Sequence, residues 1–449
     1  MQLIEVNGMR LLLDCGLYQG RRSDTYQRNR HFPFNPKIID AVIISNARLN
    51  HSGNLPNLVK QGFKGPIYAT PASVSLIHAM LTDLGTMQEA DMLFVNKYRR
   101  SRGEKPSEAL YTQAEASRVQ AQLKSVPYHQ EFSPVEGVTA RLVDAGFMLG
   151  SASVDLQVSE NGRKTRMWFS GDIGRRDKAI LRDPVLPEGA DILVMESTYG
   201  DPPQDGPQAG AAELEEVVRR TIGRGGKIVV PAFSIGQTQE LIYGLNQIMS
   251  SNVVSRVPVY IDSPLVVDAS KVFLEHTDCY DEESLALIRE NRHPALNFEG
   301  LTYIRSLEES RALNERKEPM IIISATDTAE NGRILHHIRN IIDDARSSIL
   351  LISWQAPFTL GRRLAERSER IKIFGEVHYR RAEVATIREL AGHAGQALLA
   401  EYALSARDSA RQVYLIHGEE KSAQALTERL GEAGMTNISY PDLHEGVEI

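Results

Sequence analysis

Residues 41–56 read AVIISNARLNHSGNLP. The run Ala41–Ile44 is short, apolar and rich in β-branched side chains, the pattern of a buried strand. A polar turn follows. His51-Ser52-Gly53 then opens a helix predicted to continue from Asn54 to Val59. The end of a buried strand that turns into a helix is where α/β folds keep the polar side chains that meet ligands. A turn of this kind built to hold a metal offers several imidazoles and carboxylates. This one offers Asn46, Arg48, Asn50 and a single histidine, His51.

Outward from this turn the chain changes rhythm once. RLLLD (10–14), AVIIS (41–45), PIYAT (66–70), TARLVDA (139–145), RMWFSGD (166–172) and DILVMES (191–197) are short apolar strands, so the first 200 residues are strand-rich. From Ala211 long amphipathic helices alternate with short buried strands: AAELEEVVRRTIGRGG before KIVVPAF, and TQELIYGLNQIM before VPVYID. That alternation is the βαβ pattern of a parallel sheet, and it continues through PMIIISA (319–325) and SSILLIS (347–353). RIKIFGEVHYRRAEVATI (370–387) reads as strand again, and VYLIHGEE (413–420) as a strand entering a last helix. The loop near 200–207 and the charged turn near 366–370 are the predicted boundaries. They give a first domain over 1–200, an inserted domain over 201–369, and a return to the first domain over 370–449.

Composition narrows the class. The chain has 449 residues, 42% hydrophobic and 24% charged, as expected of globular domains and too long for one average core. A formal charge of -7 argues against a protein that coats nucleic acid, so contact with phosphates must rest on local patches. Two cysteines, Cys15 and Cys279, fit a reducing compartment and are too few for a disulfide framework or a thiolate zinc site. No apolar run approaches the roughly 18 residues of a membrane span, and no signal-peptide plan is seen. The expected location is the cytoplasm.

Taken in order, LLLDCGLYQG (11–20), SNARLNHSG (45–53), DAGFMLGSAS (144–153), SGDIGR (170–175), ESTYGD (196–201), PAFSIGQTQEL (231–241), DSPL (262–265), NGRILHHI (331–338), GEVHYRRAEV (375–384), LAGHAGQ (390–396) and IHGEE (416–420) resemble the β-CASP branch of the metallo-β-lactamase superfamily. That family includes RNA-processing nucleases such as ribonuclease J and the nuclease of pre-mRNA 3′-end cleavage. The resemblance covers nearly the whole chain. It implies an α/β fold, a metallo-β-lactamase αββα sandwich with an inserted α/β β-CASP domain, and a site in the cleft between the two. Relative to the family pattern the chain starts late, so either the initiation site is misplaced or the first strand is missing, which would leave one sheet edge open.

The resemblance also implies a chemistry, hydrolysis of RNA phosphodiesters by two zinc ions about 4 Å apart. The second motif of the family is His-x-His-x-Asp-His, matched here by Asn46, Arg48, Asn50 and His51. An amide oxygen is a weak neutral ligand, and a guanidinium stays protonated and is no ligand. Phe147 stands where the third motif has a histidine. His51, Asp172 and His393 are the ligands that remain. Glu196 matches a carboxylate that orients water or a ligand, and His337 the histidine that protonates the leaving group. Gln237 replaces a common arginine, and Gly395 replaces the aspartate that usually follows His393.

Simpler readings stand beside these. A histidine before a helix caps or packs, and an aspartate in a Ser-Gly-Asp turn is an ordinary turn residue. His417 reads as a buried, hydrogen-bonded histidine outside the chemistry, and one of His336 and His337 faces solvent. The arginine-rich segments 21–31, 97–105 and 379–381 are solvated faces by default. Converging on a cleft, they would form a phosphate track, to which Arg48, Arg333 and Arg362 are the expected contributors.

Three functions follow. One is a non-catalytic β-CASP protein that binds RNA or pairs with an active homologue, with Arg48 neutralising Asp172 and Glu196 in place of zinc. Another is an RNA hydrolase with one weakly held metal at His51, Asp172 and His393. The last is a structural or regulatory module without a nucleic-acid role. By resemblance a homodimer is also expected.

Overall fold

The computed structural model describes the chain except residues 21, 179, 203–208, 233–235, 252–253, 290–297, 327 and 449. The predicted boundary loop at 200–207 therefore lies largely outside the described residues, as does the side chain of Gln237. The chain divides into two compact units: Met1–Gln19, Ser23–Pro203 and His393–Ile449 form one, and Gly20–Arg22 with Gln204–Gly392 the other.

Two sheets build the first unit. Five strands lie in the order Gln2–Val6, Met9–Leu13, Ala41–Ile43, Ile67–Ala69, Leu123–Ser125. Seven more run from Ile438–Ser439 and Gln412–Ile416 through Ile192–Glu196, Arg163–Phe169, Ala152–Glu160 and Val138–Asp144 to Glu131–Phe132. Side chains alternate across a strand, and the consequence is visible at Leu11-Leu12-Leu13. Leu11 and Leu13 join Ile43, Leu142, Val154, Leu156, Phe169 and Val194 in one core made by both sheets. On the opposite face of the larger sheet, Trp168, Leu193 and Met195 pack with Leu399, Tyr402 and Leu426. Those last three come from the helices Gln396–Leu404 and Glu420–Glu432. Sheet on sheet with helices outside is the layering the sandwich requires.

In the second unit six strands form a wholly parallel sheet, ordered Leu301–Tyr303, Val259–Ile261, Ile321–Ser324, Ile228–Pro231, Ser348–Leu351, Glu383–Thr386. Both faces are covered, as parallel sheets demand. Ile228, Val230, Ile261 and Ile323 fill one core, and Val229, Tyr260, Ile322 and Ile349 the other. The boundary expected near 370 falls later. Glu383–Thr386 pairs with Ser348–Leu351, so this segment completes the second unit's sheet and the chain returns to the first unit at His393. Ahead of it, Arg370–Ile373 and Glu376–Tyr379 form a separate hairpin.

Candidate functional site

The turn at 45–53 is held mainly by main chain. Cys15 N–H donates to His51 O at 2.6 Å, Leu17 N–H to Leu49 O at 2.7 Å, and Asn54 N–H to Cys15 O at 2.9 Å. Gly16 makes this approach feasible, because a Cβ there would stand 1.6 Å from Asn50 O. Asp14, at φ 60°, turns its carboxylate inward. It accepts from Ser45 N–H at 2.7 Å and Ser45 Oγ at 2.8 Å, and Nδ1 of His51 lies 2.6 Å away.

With Nδ1 so engaged, Nε2 of His51 faces Asp172, 3.0 Å from Oδ1. Distance and direction disagree here, since neither atom has a well-directed hydrogen bond although both are buried. Charge still couples them. Burial alone would push His51 down, but the carboxylates of Asp172 and Asp14 outweigh it and raise it to about 10. Asp172 is held well below the ordinary range, its burial opposed by the charges of His51, His417 and His393.

His417 completes the group. It follows the strand Gln412–Ile416, which pairs in parallel with Ile192–Glu196 and places Ile416 beside Glu196. Its Nδ1 stands 3.4 Å from Asp172 Oδ1 and 3.3 Å from Thr198 Oγ1. Nε2 lies 2.9 Å from the Asn50 amide nitrogen. Desolvation by the surrounding groups pushes its titration down to about 4, towards the neutral form a metal ligand needs, although 34% of its side chain stays open to solvent. The expectation that His417 lies outside the chemistry is corrected by this placement. The sequence signal for it was a histidine directly after a strand end, here at φ 56°, a conformation that side-chain-bearing residues seldom adopt.

Beside this group lies another. Glu196 is buried and accepts from Ile173 N–H. Its two oxygens lie 3.0 and 2.9 Å from His393 Nδ1. The far nitrogen of His393, Nε2, is 3.1 Å from Arg48 Nη1. Phe147 packs against His393 with ring centroids 4.4 Å apart, and the Arg48 guanidinium sits 5.3 Å from the centre of the Phe147 ring. Arg48 was expected directly on Asp172 and Glu196. Its contact with His393 Nε2 instead makes the imidazole the link to Glu196, while His51 sits between Asp14 and Asp172.

The donor chemistry separates the two groups. His51 Nε2, Asp172 and His417 present donors within 4.8 Å of one another, and two of those atoms lack a directed hydrogen bond. They fit one cation once His51 gives up the proton that Asp172 and Asp14 stabilise. Asp172, Glu196 and His393 meet the same distance test, yet Glu196 and His393 are engaged with each other, with Ile173 and with Arg48. A guanidinium beside these atoms disfavours a second cation. Asn46 adds no ligand oxygen: its Oδ1 accepts from Arg48 N–H at 2.9 Å, and its nitrogen faces Asp172 Oδ2 at 3.4 Å.

The remaining sequence candidates belong to the second unit. His337, on the helix Ile334–Ile341, is fully buried. Its Nε2 lies 2.7 Å from Asp262 Oδ2 and its Nδ1 2.9 Å from Asn314 Oδ1. Both ring nitrogens are engaged within the second unit, by Asp262 and Asn314. His336 is exposed and stacks on Phe374. Arg333 binds Asp262 Oδ1 at 2.6 Å and Arg305 O at 2.7 Å, and Arg362 binds Gln355 O at 2.8 Å and lies over Trp354. Both arginines serve their own unit's structure.

Comparison with known proteins fits this architecture. A β-CASP domain model matches residues 238–364, and a model described as a Zn-dependent metallo-hydrolase RNA specificity domain matches 378–441. A Thermus thermophilus protein named as a ribonuclease is 32% identical over 447 residues, covering 100% of this chain and 96% of its own length. The chain belongs to the β-CASP family of the metallo-β-lactamase superfamily. Among other β-CASP relatives, an RNase J-like protein of Methanocaldococcus jannaschii is 27% identical, with 93% of this chain and 88% of its own covered. A transcription termination factor FttA of Methanosarcina mazei is 26% identical, covering 94% of this chain; the chain spans 65% of that protein's length. The β-CASP family is one of RNA-processing nucleases, and its metal is zinc.

Proposed function

We propose that this chain is an RNA-binding β-CASP protein with a reduced hydrolytic centre, one that holds at most one cation and acts by binding RNA or by partnering an active homologue. The arrangement that carries this reading is Glu196–His393–Arg48, in which a carboxylate and an imidazole suited to metal are occupied by one another and by a guanidinium. A second metal ion would have to displace that guanidinium from His393. Two buried free cysteines, and the lack among the described residues of a helix long and apolar enough to cross a membrane, support a cytoplasmic setting.

His51, Asp172 and His417 favour a second reading, a hydrolase with a single metal. An ion held there would lower the pKa of a bound water and polarise a phosphoryl oxygen. Within the protein, Asp14 would fix the ring of His51, the orienting role of a partner behind a metal ligand.

One experiment separates the readings. Chain purified without chelator is assayed for zinc, manganese and iron, and the same sample is incubated with end-labelled single-stranded RNA. RNA binding without cleavage, with one equivalent of metal or less, supports the first reading. Cleavage that is lost in both His417→Ala and Asp172→Asn replaces it with the second. Two tightly held equivalents would overturn both.

A further inference from the structure

The helix Arg22–Arg30, sequence RSDTYQRNR, lacks the apolar stripe that usually docks a helix onto a core. It is fastened through Asn29 instead. The Asn29 side chain exchanges hydrogen bonds with Tyr18 N–H at 2.7 Å and Tyr18 O at 3.0 Å, and the Asn29 main-chain carbonyl accepts from the side-chain amides of Asn54 and Asn57. Fixed in this way, the segment presents aromatic rings to solvent. Tyr18 is 37% exposed and Tyr26 50%. Each carries a guanidinium on its ring: Arg28 lies 4.4 Å from the centre of Tyr18, and Arg30 4.5 Å from that of Tyr26. Arg30 is also held by Glu108 O.

The position matters. Tyr18 comes one residue after Leu17, whose N–H is bound to Leu49 O in the turn that carries Arg48 and His51. The first stack therefore adjoins the segment bound to the donor-bearing turn, and Asn29, held by Asn54 and Asn57 just beyond that turn, ties down the helix that carries the second, within the first unit. A flat cation on an exposed ring gives a surface on which a base can stack, with positive charge for the adjoining phosphate. Single strands expose the faces of their bases and duplexes do not. In a chain of net charge -7, affinity for RNA must come from such local features.

We propose that Tyr18 with Arg28, and Tyr26 with Arg30, form a stacking platform for single-stranded RNA beside the candidate site. The proposal rests on the RNA-binding reading above and adds where the strand lies and which form of RNA is taken.

The test is fluorescence anisotropy of the full chain in the presence of chelator, which separates binding from cleavage. The probes are a labelled oligoadenylate of about 12 nucleotides and an RNA duplex of equal length. Tyr18→Ala with Tyr26→Ala is expected to weaken single-strand binding by about tenfold or more, leaving duplex binding unchanged. Tyr18→Phe with Tyr26→Phe, which keeps the rings, is expected to stay within about twofold of the wild type. Arg28→Gln with Arg30→Gln is expected to reduce the salt dependence of binding. Alanine variants that bind the single strand as wild type does would overturn the platform and leave the RNA reading intact. Equal losses in the phenylalanine and alanine pairs would overturn it as well. A wild-type chain that binds neither probe would overturn the RNA reading itself.

Discussion

Arg48 Nη1 stands 3.1 Å from His393 Nε2, and the opposite nitrogen of the same ring stands 2.9 Å from a Glu196 oxygen. A guanidinium cannot give up its proton, so Nε2 must accept and Nδ1 must donate. The three residues thus form a line of charge-assisted hydrogen bonds with one direction, cation to imidazole to carboxylate. In place of ligands awaiting an ion, that half of the site holds a closed polar chain.

Removing its cation should be costly. Arg48→Ala is expected to lower stability by about 1–3 kcal/mol, because His393 Nε2 loses its donor and Phe147 its stacked guanidinium. Urea denaturation monitored by circular dichroism measures this, and an unchanged midpoint would show that Arg48 contributes nothing to the site's integrity.

If the replaced residues limit the proposed site to one ion, restoring the family's ligands should lift that limit. The combined variant Asn46→His, Arg48→His, Asn50→Asp, Phe147→His is expected to raise bound zinc from at most one equivalent to two, read by plasma mass spectrometry after dialysis. A ratio that does not rise would mean that the main-chain frame, as well as the side chains, has departed from a two-metal geometry.

His417 is expected to be needed for whatever metal the wild type holds. His417→Ala should weaken zinc binding by at least tenfold in competition with a chromophoric chelator. His337→Ala, in the other unit, should leave zinc affinity unaltered. Unaltered zinc affinity in His417→Ala would remove His417 from the metal group.

The buried group around Asp262 should set an acid limit. Burial opposes its charge, but hydrogen bonds from His337, Ser310 and Arg333 outweigh burial and hold Asp262 below the ordinary carboxylate range. A carboxyl lowered in the folded state stabilises the fold above its unfolded value of about 4 and stops doing so as pH falls through the folded value. Asp262→Asn is therefore expected to be less stable than wild type at pH 6, with the gap narrowing towards pH 3. Urea titrations at both values test it; a gap independent of pH would remove the charge from the explanation.

Gly16→Ala is expected to cost about 3 kcal/mol or more, or to prevent folding, since the added Cβ would meet the Asn50 carbonyl. Soluble yield and thermal midpoint report it directly. A stable G16A protein would mean that the 15–17 segment can move away from the turn.

Much of this architecture was legible in the sequence because its signals are local. The strand Ala41–Ile43 follows from apolar patterning, although the single helix expected from His51 onward is two, Leu49–Ser52 and Leu55–Lys60, and the parallel sheet of the second unit follows from the alternation of long helices with short Ile- and Val-rich runs. His51, Asp172, Glu196 and His393 come together as the family resemblance implied. His417 was missed because its partners lie far away in sequence, and only the parallel pairing of Ile192–Glu196 with Gln412–Ile416 brings it to Asp172. His337 sits on an amphipathic helix whose pattern does not show that Asp262, 75 residues away in sequence, lies beneath it. The boundary at 370 failed similarly, because a strand shows its composition in sequence but not which sheet it joins.

The hydrogen bonds from Cys15, Leu17 and Asn54 that fasten the 48–54 turn run through peptide groups, which every residue type there carries. Chemistry and architecture are thereby written in different parts of the same residues. An ancestor could exchange one set of side chains at positions 46, 48 and 50 for another, shifting stability by increments while the peptide lattice beneath kept its shape. The same separation makes this turn a mounting point, on which new ligand sets can be installed by substitution at three positions with no redesign of the sheet that supports them.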